Sequence, residues 1–163
     1  MDNLKNNFLK LLRENARYSL EQLSKITGAD CKTIEDCIKS LEDSGVIVKY
    51  SAILNSEILA ERTVQALIEV KVAPQKLKGF DSCAEEIYEF PEVQSLYLMS
   101  GGFDLAVFVE GKDITDIARF ISEKLSVIDG IISVQTHFIL KKYKIEGQVT
   151  KHLSEREREI IFA

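Results

Sequence analysis

The chain has 163 residues, 45% of them hydrophobic, which suits one ordinary folded domain or two small ones. Its formal charge of −5 excludes a general polyanion binder, and the excess acid lies wholly beyond residue 50, where the preceding bases and acids cancel. No run approaches the ~20 apolar residues of a membrane-spanning helix, and the first residues lack the apolar core of a signal peptide, so a cytoplasmic protein is expected.

Residues 4–15 are predicted to form a first helix, with Phe8, Leu9, Leu11 and Leu12 as its apolar stripe. Residues 19–47 follow as two short helices around a tight turn. Ser19 and Gln22 have capping-box spacing, and Leu20, Leu23 and Ile26 recur at helical spacing. Gly28 suits a left-handed stop. Asp30 is placed to cap the next helix, whose apolar face is Ile34, Cys37, Ile38 and Leu41, and Gly45 ends it. Helix, glycine turn and helix make a helix-turn-helix, the device that lays a helix in the major groove of DNA. Residues 46–48 then read as the start of something strand-like.

The charge of the second helix opposes its shape. Between Asp30 and Gly45 the only bases are Lys32 and Lys39, against Asp30, Glu35, Asp36, Glu42 and Asp43, and no arginine is present to grip a guanine edge. Such a head suits weak binding, or binding in which many copies act together. Cys31, Cys37 and Cys83 cannot all pair and lack zinc-ligand spacing, so they read as reduced thiols.

Residues 50–62 read as a connector with a turn at Asn55-Ser56. Beyond it the period changes. Val64, Ala66, Ile68, Val70 and Val72 alternate with Gln65, Leu67, Glu69, Lys71 and Ala73, a strand pattern closed by Pro74. Residues 81–90 read as a helix with Ala84, Ile87 and Tyr88 inward. Residues 93–99 and 103–110 read as a hairpin around Ser100-Gly101-Gly102. Asp113 is expected to cap a helix burying Ile114, Ile117, Ala118, Ile121 and Leu125, and residues 132–140 form the last strand.

The expected fold is α+β: an N-terminal winged-type helix-turn-helix and a C-terminal ferredoxin-like β-α-β-β-α-β domain. The divisions are 1–50 for the DNA-binding unit, 51–63 for the connector, 64–145 for the second domain and 146–163 for a tail. Leu67, Ala106, Phe108 and Ile139 fall on the sheet face away from the helices. That face is too apolar for water, and it is expected to pack on another copy. In the tail, Ser154 and Glu157 repeat the capping-box spacing before Ile160-Ile161-Phe162, which suggests docking on a subunit.

This order resembles the leucine-responsive/AsnC (Lrp/AsnC) family of transcription regulators over nearly the whole chain. Leu20-Glu21-Gln22-Leu23-Ser24 with Gly28 is similar to the family's second helix and turn. Leu41-Glu42-Asp43-Ser44-Gly45-Val46-Ile47 is similar to the end of its recognition helix, and Tyr50-Ser51-Ala52-Ile53-Leu54-Asn55 to its connector. Ser100-Gly101-Gly102-Phe103-Asp104 resembles the hairpin of its effector domain, and residues 137–144 the last strand of one branch. Where the family often carries arginines, this chain has Cys37, Lys39, Ser40 and Asp43.

The resemblance implies a sequence-specific regulator of double-stranded DNA. It implies homodimers through the sheets, dimers building tetramers or octamers, and an effector such as an amino acid bound between dimers near the glycine hairpin. Lys32, Thr33, Lys39 and Ser40 are the candidates for groove contact, with Tyr18, Ser19, Lys25 and Lys49 on phosphates. Met99, Ser100, Gly101, Gly102, Phe103, Asp104 and Thr136 are the candidates for the effector. Asp104 would hold an ammonium group, or else bond its own turn. No nucleophile-base pair, metal set or cofactor fingerprint is read. Glu85-Glu86 and Asp113 with Asp116 read as helix-start carboxylates. Two alternatives stand: an effector-binding oligomer with weak or lost DNA binding, and a sirohaem-decarboxylase-like enzyme with His137 as its only candidate histidine.

Overall fold

The computed structural model describes residues 2–56, 59, 63–73 and 80–150, with side chains from residue 5 onward. Pro74 and the tail from residue 151 lie outside the described residues. The chain divides into two compact units, Met1–Ile53 and Leu54–Ala163.

The first unit is three helices: α1 (Asp2–Glu14), α2 (Leu20–Thr27) and α3 (Cys31–Asp43). Each contributes one fully buried side chain to a common core, Phe8, Leu23 and Ile34. Leu11, Tyr18, Leu20, Ala29, Cys37 and Ile38 pack around them. Burying each of the three is worth about 1.5–3 kcal/mol, so this is a small core. Ile26 shares the helical spacing of Leu23 but is 53% exposed, because α2 buries only the arc facing α1 and α3. The strand expected from residue 46 does not form. Val46 and Val48 are 55% and 90% exposed, and no strand among the described residues pairs with them.

Among the described residues, the main body of the second unit is a four-stranded antiparallel sheet under two helices. Its elements are β1 (Val64–Val72), α4 (Asp81–Tyr88), β2 (Val93–Leu98), β3 (Leu105–Gly111), α5 (Ile114–Phe120) and β4 (Ile131–Phe138). The strand order is β2-β3-β1-β4, so β1 is central, with Ile68 opposite Val107 on one side and Thr136 on the other. Ala66, Ile68, Val70, Leu105, Val107 and Val109 face the helices and meet Cys83, Ile87, Ile117, Phe120 and Leu125 in one core. The sheet's other face carries Leu67, Phe108 and Ile139, all half-buried, and Ala106, which its neighbours cover.

Four details depart from the sequence pattern. In α4 the inward positions are Cys83 and Ile87, and Tyr88 is 54% exposed. In α5 the inward residues are Ile117 and Phe120, while Ile114 and Ala118 are exposed. Beyond them comes a π-turn over Ile121–Leu125, closed by Ser126 N–H donating to Ile121 O at 2.9 Å. This wider turn adds one residue to the repeat and carries Leu125 back to the core. The third strand starts at Leu105, two residues late, and a two-stranded hairpin stands where the tail was expected to begin. Its strands, β5 (Lys144–Ile145) and β6 (Gln148–Val149), are joined at Glu146-Gly147, both with positive φ (45° and 83°), the geometry of a tight hairpin turn.

Candidate nucleic-acid interface and effector loop

The helix-turn-helix is held by hydrogen bonds among its own residues. Ser19 Oγ accepts from Gln22 N–H at 3.2 Å and Gln22 Oε1 accepts from Ser19 N–H at 2.9 Å. Gly28, at φ 74°, turns the chain out of α2 and donates to Ser24 O at 2.8 Å. Within the turn, Ser24 Oγ donates to Ala29 O at 2.6 Å, and Thr27 Oγ1 donates to Leu23 O at 2.8 Å while accepting from Ala29 N–H at 3.3 Å. Asp30 caps α3, its Oδ1 accepting from Thr33 N–H at 2.9 Å and its Oδ2 from the Thr33 hydroxyl at 2.5 Å. Those bonds, the hydroxyl's first, hold the Asp30 carboxyl below its usual range.

Of the residues expected at DNA, Lys32, Thr33, Lys39 and Ser40 are all exposed on α3. Thr33 is already committed, since its hydroxyl proton belongs to the cap. Ser19 is likewise part of the α2 cap, and Tyr18 is half-buried against the core. Lys25 and Lys49 are exposed. The outermost ridge of α3, opposite Ile34 and Leu41, is Lys32, Asp36, Lys39 and Asp43, spaced by four, three and four residues. None of these four joins an ion pair among the described residues. The ridge offers two ammonium groups and two free carboxylates, a net charge of zero. Sequence reasoning missed one contact: the Tyr50 hydroxyl donates to Glu42 Oε1 at 3.0 Å, tying the connector to α3. Burial first, then the Glu42 carboxylate, raises the Tyr50 pKa.

The candidate effector loop, residues 99–104, joins β2 to β3. Met99 N–H donates to Asp104 O at 2.8 Å and Asp104 N–H to Val70 O at 3.0 Å. The Asp104 carboxylate neither stands free nor bonds its own turn: Oδ2 accepts from Val72 N–H at 2.8 Å, securing the end of β1. Gly101 and Gly102 need no left-handed φ, and a Cβ on either would meet nothing within 4 Å. Nothing in their own chain demands glycine, and their backbone stands open to approach from outside. Ser100 is exposed and Phe103 half-buried. Thr136 is not brought to this loop: it lies on edge strand β4, with β1 between it and β3. A cavity of about 400 Å³ opens beside the loop's ends, lined by Tyr88, Ser95, Leu98 and Leu105 among others.

His137, on the open sheet face, has Nε2 3.2 Å from Glu69 Oε1 on the adjacent strand. No group of metal-ligating side chains forms among the described residues. Asp113 caps α5, its Oδ1 accepting from Asp116 N–H at 2.9 Å, and Asp116 lies 3.7 Å from Arg119.

The chain matches the family model described as Lrp/AsnC ligand binding domain over residues 65–149, and that described as winged helix-turn-helix DNA-binding over residues 1–48. It is 43% identical to YugG of Bacillus subtilis (strain 168), named as an uncharacterized HTH-type transcriptional regulator. The likeness spans 94% of this chain and 93% of that protein. Among solved structures, an AsnC family transcriptional regulator from Agrobacterium tumefaciens superposes with TM-score 0.70 at 26% identity, over 94% of this chain and 97% of that one. The regulator NMB0573 of Neisseria meningitidis, solved as its L-Met complex, superposes with TM-score 0.67 at 24% identity, over 96% and 98%.

Proposed function

We propose, from the premise that the chain belongs to the Lrp/AsnC family of helix-turn-helix transcriptional regulators, that it reads an operator through α3 and answers to a small effector at residues 99–104. The observation that carries the reading is the self-capped helix-turn-helix, with Lys32, Thr33, Lys39 and Ser40 exposed on one reading helix. Lys32 and Lys39 supply donors to bases or phosphates; Tyr18, Ser19, Lys25 and Lys49 set register on the backbone. In a dimer, two such helices meet half-sites about 34 Å apart, or a multiple of that.

The apolar open face of the sheet supports a dimer formed through it, with further assembly letting weak heads add by effective concentration. For the effector, the open backbone of Gly101 and Gly102 is a place where N–H groups can meet a carboxylate. The L-Met bound by the Neisseria protein of the same fold makes an amino acid the first candidate. Met99, Ser100 and Phe103 flank that backbone. Asp104 acts by fixing the loop, and Thr136 takes part only when supplied by a neighbouring copy. Effector binding then shifts assembly or head spacing, and DNA shifts effector affinity by the same factor. A regulator of this kind works in the cytoplasm, beside the chromosome.

The neutral ridge of α3 favours a second reading, an effector-binding oligomer whose heads no longer bind DNA. The sirohaem-decarboxylase alternative gains no support: the relatives are regulators, and His137 is engaged by Glu69. Gel shifts on the protein's own upstream region at low and moderate salt separate the two remaining readings. The regulator shifts specific fragments, and Lys39→Ala lowers the salt slope by about one unit. Failure to shift any fragment at low salt gives the case to the second reading.

A further inference from the structure

The most informative unexplained group in the head is Asp36. It sits at the centre of the outward ridge, one turn after Lys32 and three residues before Lys39, exposed and unpaired among the described residues. Glu42 has Tyr50, Asp30 has Thr33, Asp43 lies in the last turn of α3, and Glu35, though exposed, stands about 100° round the helix from Asp36, off the outward ridge. Base contacts concentrate toward the N-terminal half of a reading helix, which leaves Asp36 as the free carboxylate best placed to face the groove.

A carboxylate there is repelled by the phosphates of any sequence. The repulsion is offset only where a base presents a hydrogen-bond donor, and in the major groove those donors are the cytosine N4 and adenine N6 amino groups. Of the two, cytosine shows its amino group with no acceptor on the same base, whereas adenine places N7 beside N6. Lys32, a donor, prefers the O6 and N7 acceptors of guanine. Residues four apart on a helix have Cβ atoms about 5–6 Å apart, so the two side chains reach bases no more than about two steps of ~3.4 Å apart.

Resting on the operator-reading role above, we propose that Asp36 is the specificity-determining residue of the head: it accepts from a cytosine amino group within two base pairs of the base Lys32 reads, and it penalises every site lacking one. The head's selectivity then comes as much from what it rejects as from what it grips. A poorly basic helix is what this arrangement requires, since added cations would restore binding to arbitrary sequence.

The test uses the full-length protein, selection from a random DNA library, and affinities for the best site and a scrambled one. The wild type should select a fixed cytosine near the Lys32 position. Asp36→Ala, at an exposed helical position where alanine is well tolerated, should lose that preference, gain affinity for scrambled DNA, and cut the specificity ratio about tenfold. Asp43→Ala should raise non-specific affinity and leave the cytosine preference intact, which separates base reading from general charge. A ratio within twofold of wild type for Asp36→Ala, or a cytosine preference that survives it, overturns the inference while leaving operator binding standing. A wild type that binds no DNA overturns both.

Discussion

At the scale of single residues, Asp104 decides between two roles. Its carboxylate takes the Val72 N–H at the end of the central strand, beside the β1–β4 register shift at Lys71/Val72. Removing it leaves a part-buried amide unpaired, a cost of about 1–3 kcal/mol. Asp104→Ala should therefore lower the melting temperature by about 5 °C or more, and Asp104→Asn, which keeps an acceptor, by less than half of that. Were Asp104 an ammonium ligand, Asp104→Asn would abolish effector binding in calorimetry and leave melting unchanged. The caps of α2 and α3 were legible in the sequence because their partners are three residues apart. The Asp104 partner was not, because 32 residues separate it from Val72 and only the folded sheet brings them together. Ile26 and Tyr88 show the same limit: spacing tells which residues share a helical face, and packing decides which arc is covered.

At the scale of elements, the π-turn after α5 has an ionic anchor. Lys124 Nζ lies 2.6 Å from Glu92 Oε1, joining this turn to the start of β2, and sits 5.6 Å over the Phe90 ring. Burial on its own raises the Glu92 pKa, but the Lys124 hydrogen bond, a backbone hydrogen bond and the ammonium charge outweigh it and lower the net value. A carboxyl depressed in the folded state stabilises the fold above its unfolded pKa, and that contribution is lost as pH falls through the folded one. Melting temperature should fall more steeply between about pH 5 and pH 3 in the wild type than in Glu92→Gln, by thermal scans at matched ionic strength. Parallel curves would remove the anchor from the account. In α5 the spacing found Ile117, Ile121 and Leu125 but also took in Ile114 and Ala118, which are exposed, and missed Phe120, which is buried. A π-turn inserts one residue between Phe120 and Leu125, and no local signal marks where a helix will widen. The β5–β6 hairpin did leave a signal, a glycine second in a two-residue turn, but runs of two residues carry no alternation to flank it.

At the scale of the whole molecule, the strand and helix order was enough to give the sheet, because a β-α-β-β-α-β chain has few ways to bury its alternating faces. What one chain leaves unfinished is the face with Leu67, Phe108 and Ile139. Tyr97 meets Phe108 edge-on there at 5.9 Å, and the pairs Glu69 with His137 and Gln65 with Glu110 are polar groups on it. If this face joins copies, light scattering at micromolar concentration should give at least a dimer mass for the wild type and a monomer mass for Phe108→Glu. A wild-type monomer would end the assembly proposal. The tight turn between α2 and α3 also has a consequence for such an assembly. Its polar groups satisfy one another before any DNA arrives, so each head enters the groove as a finished tool. The entropy of ordering that turn was settled when the chain folded, so none of the modest contact energy of a two-lysine helix is spent on it.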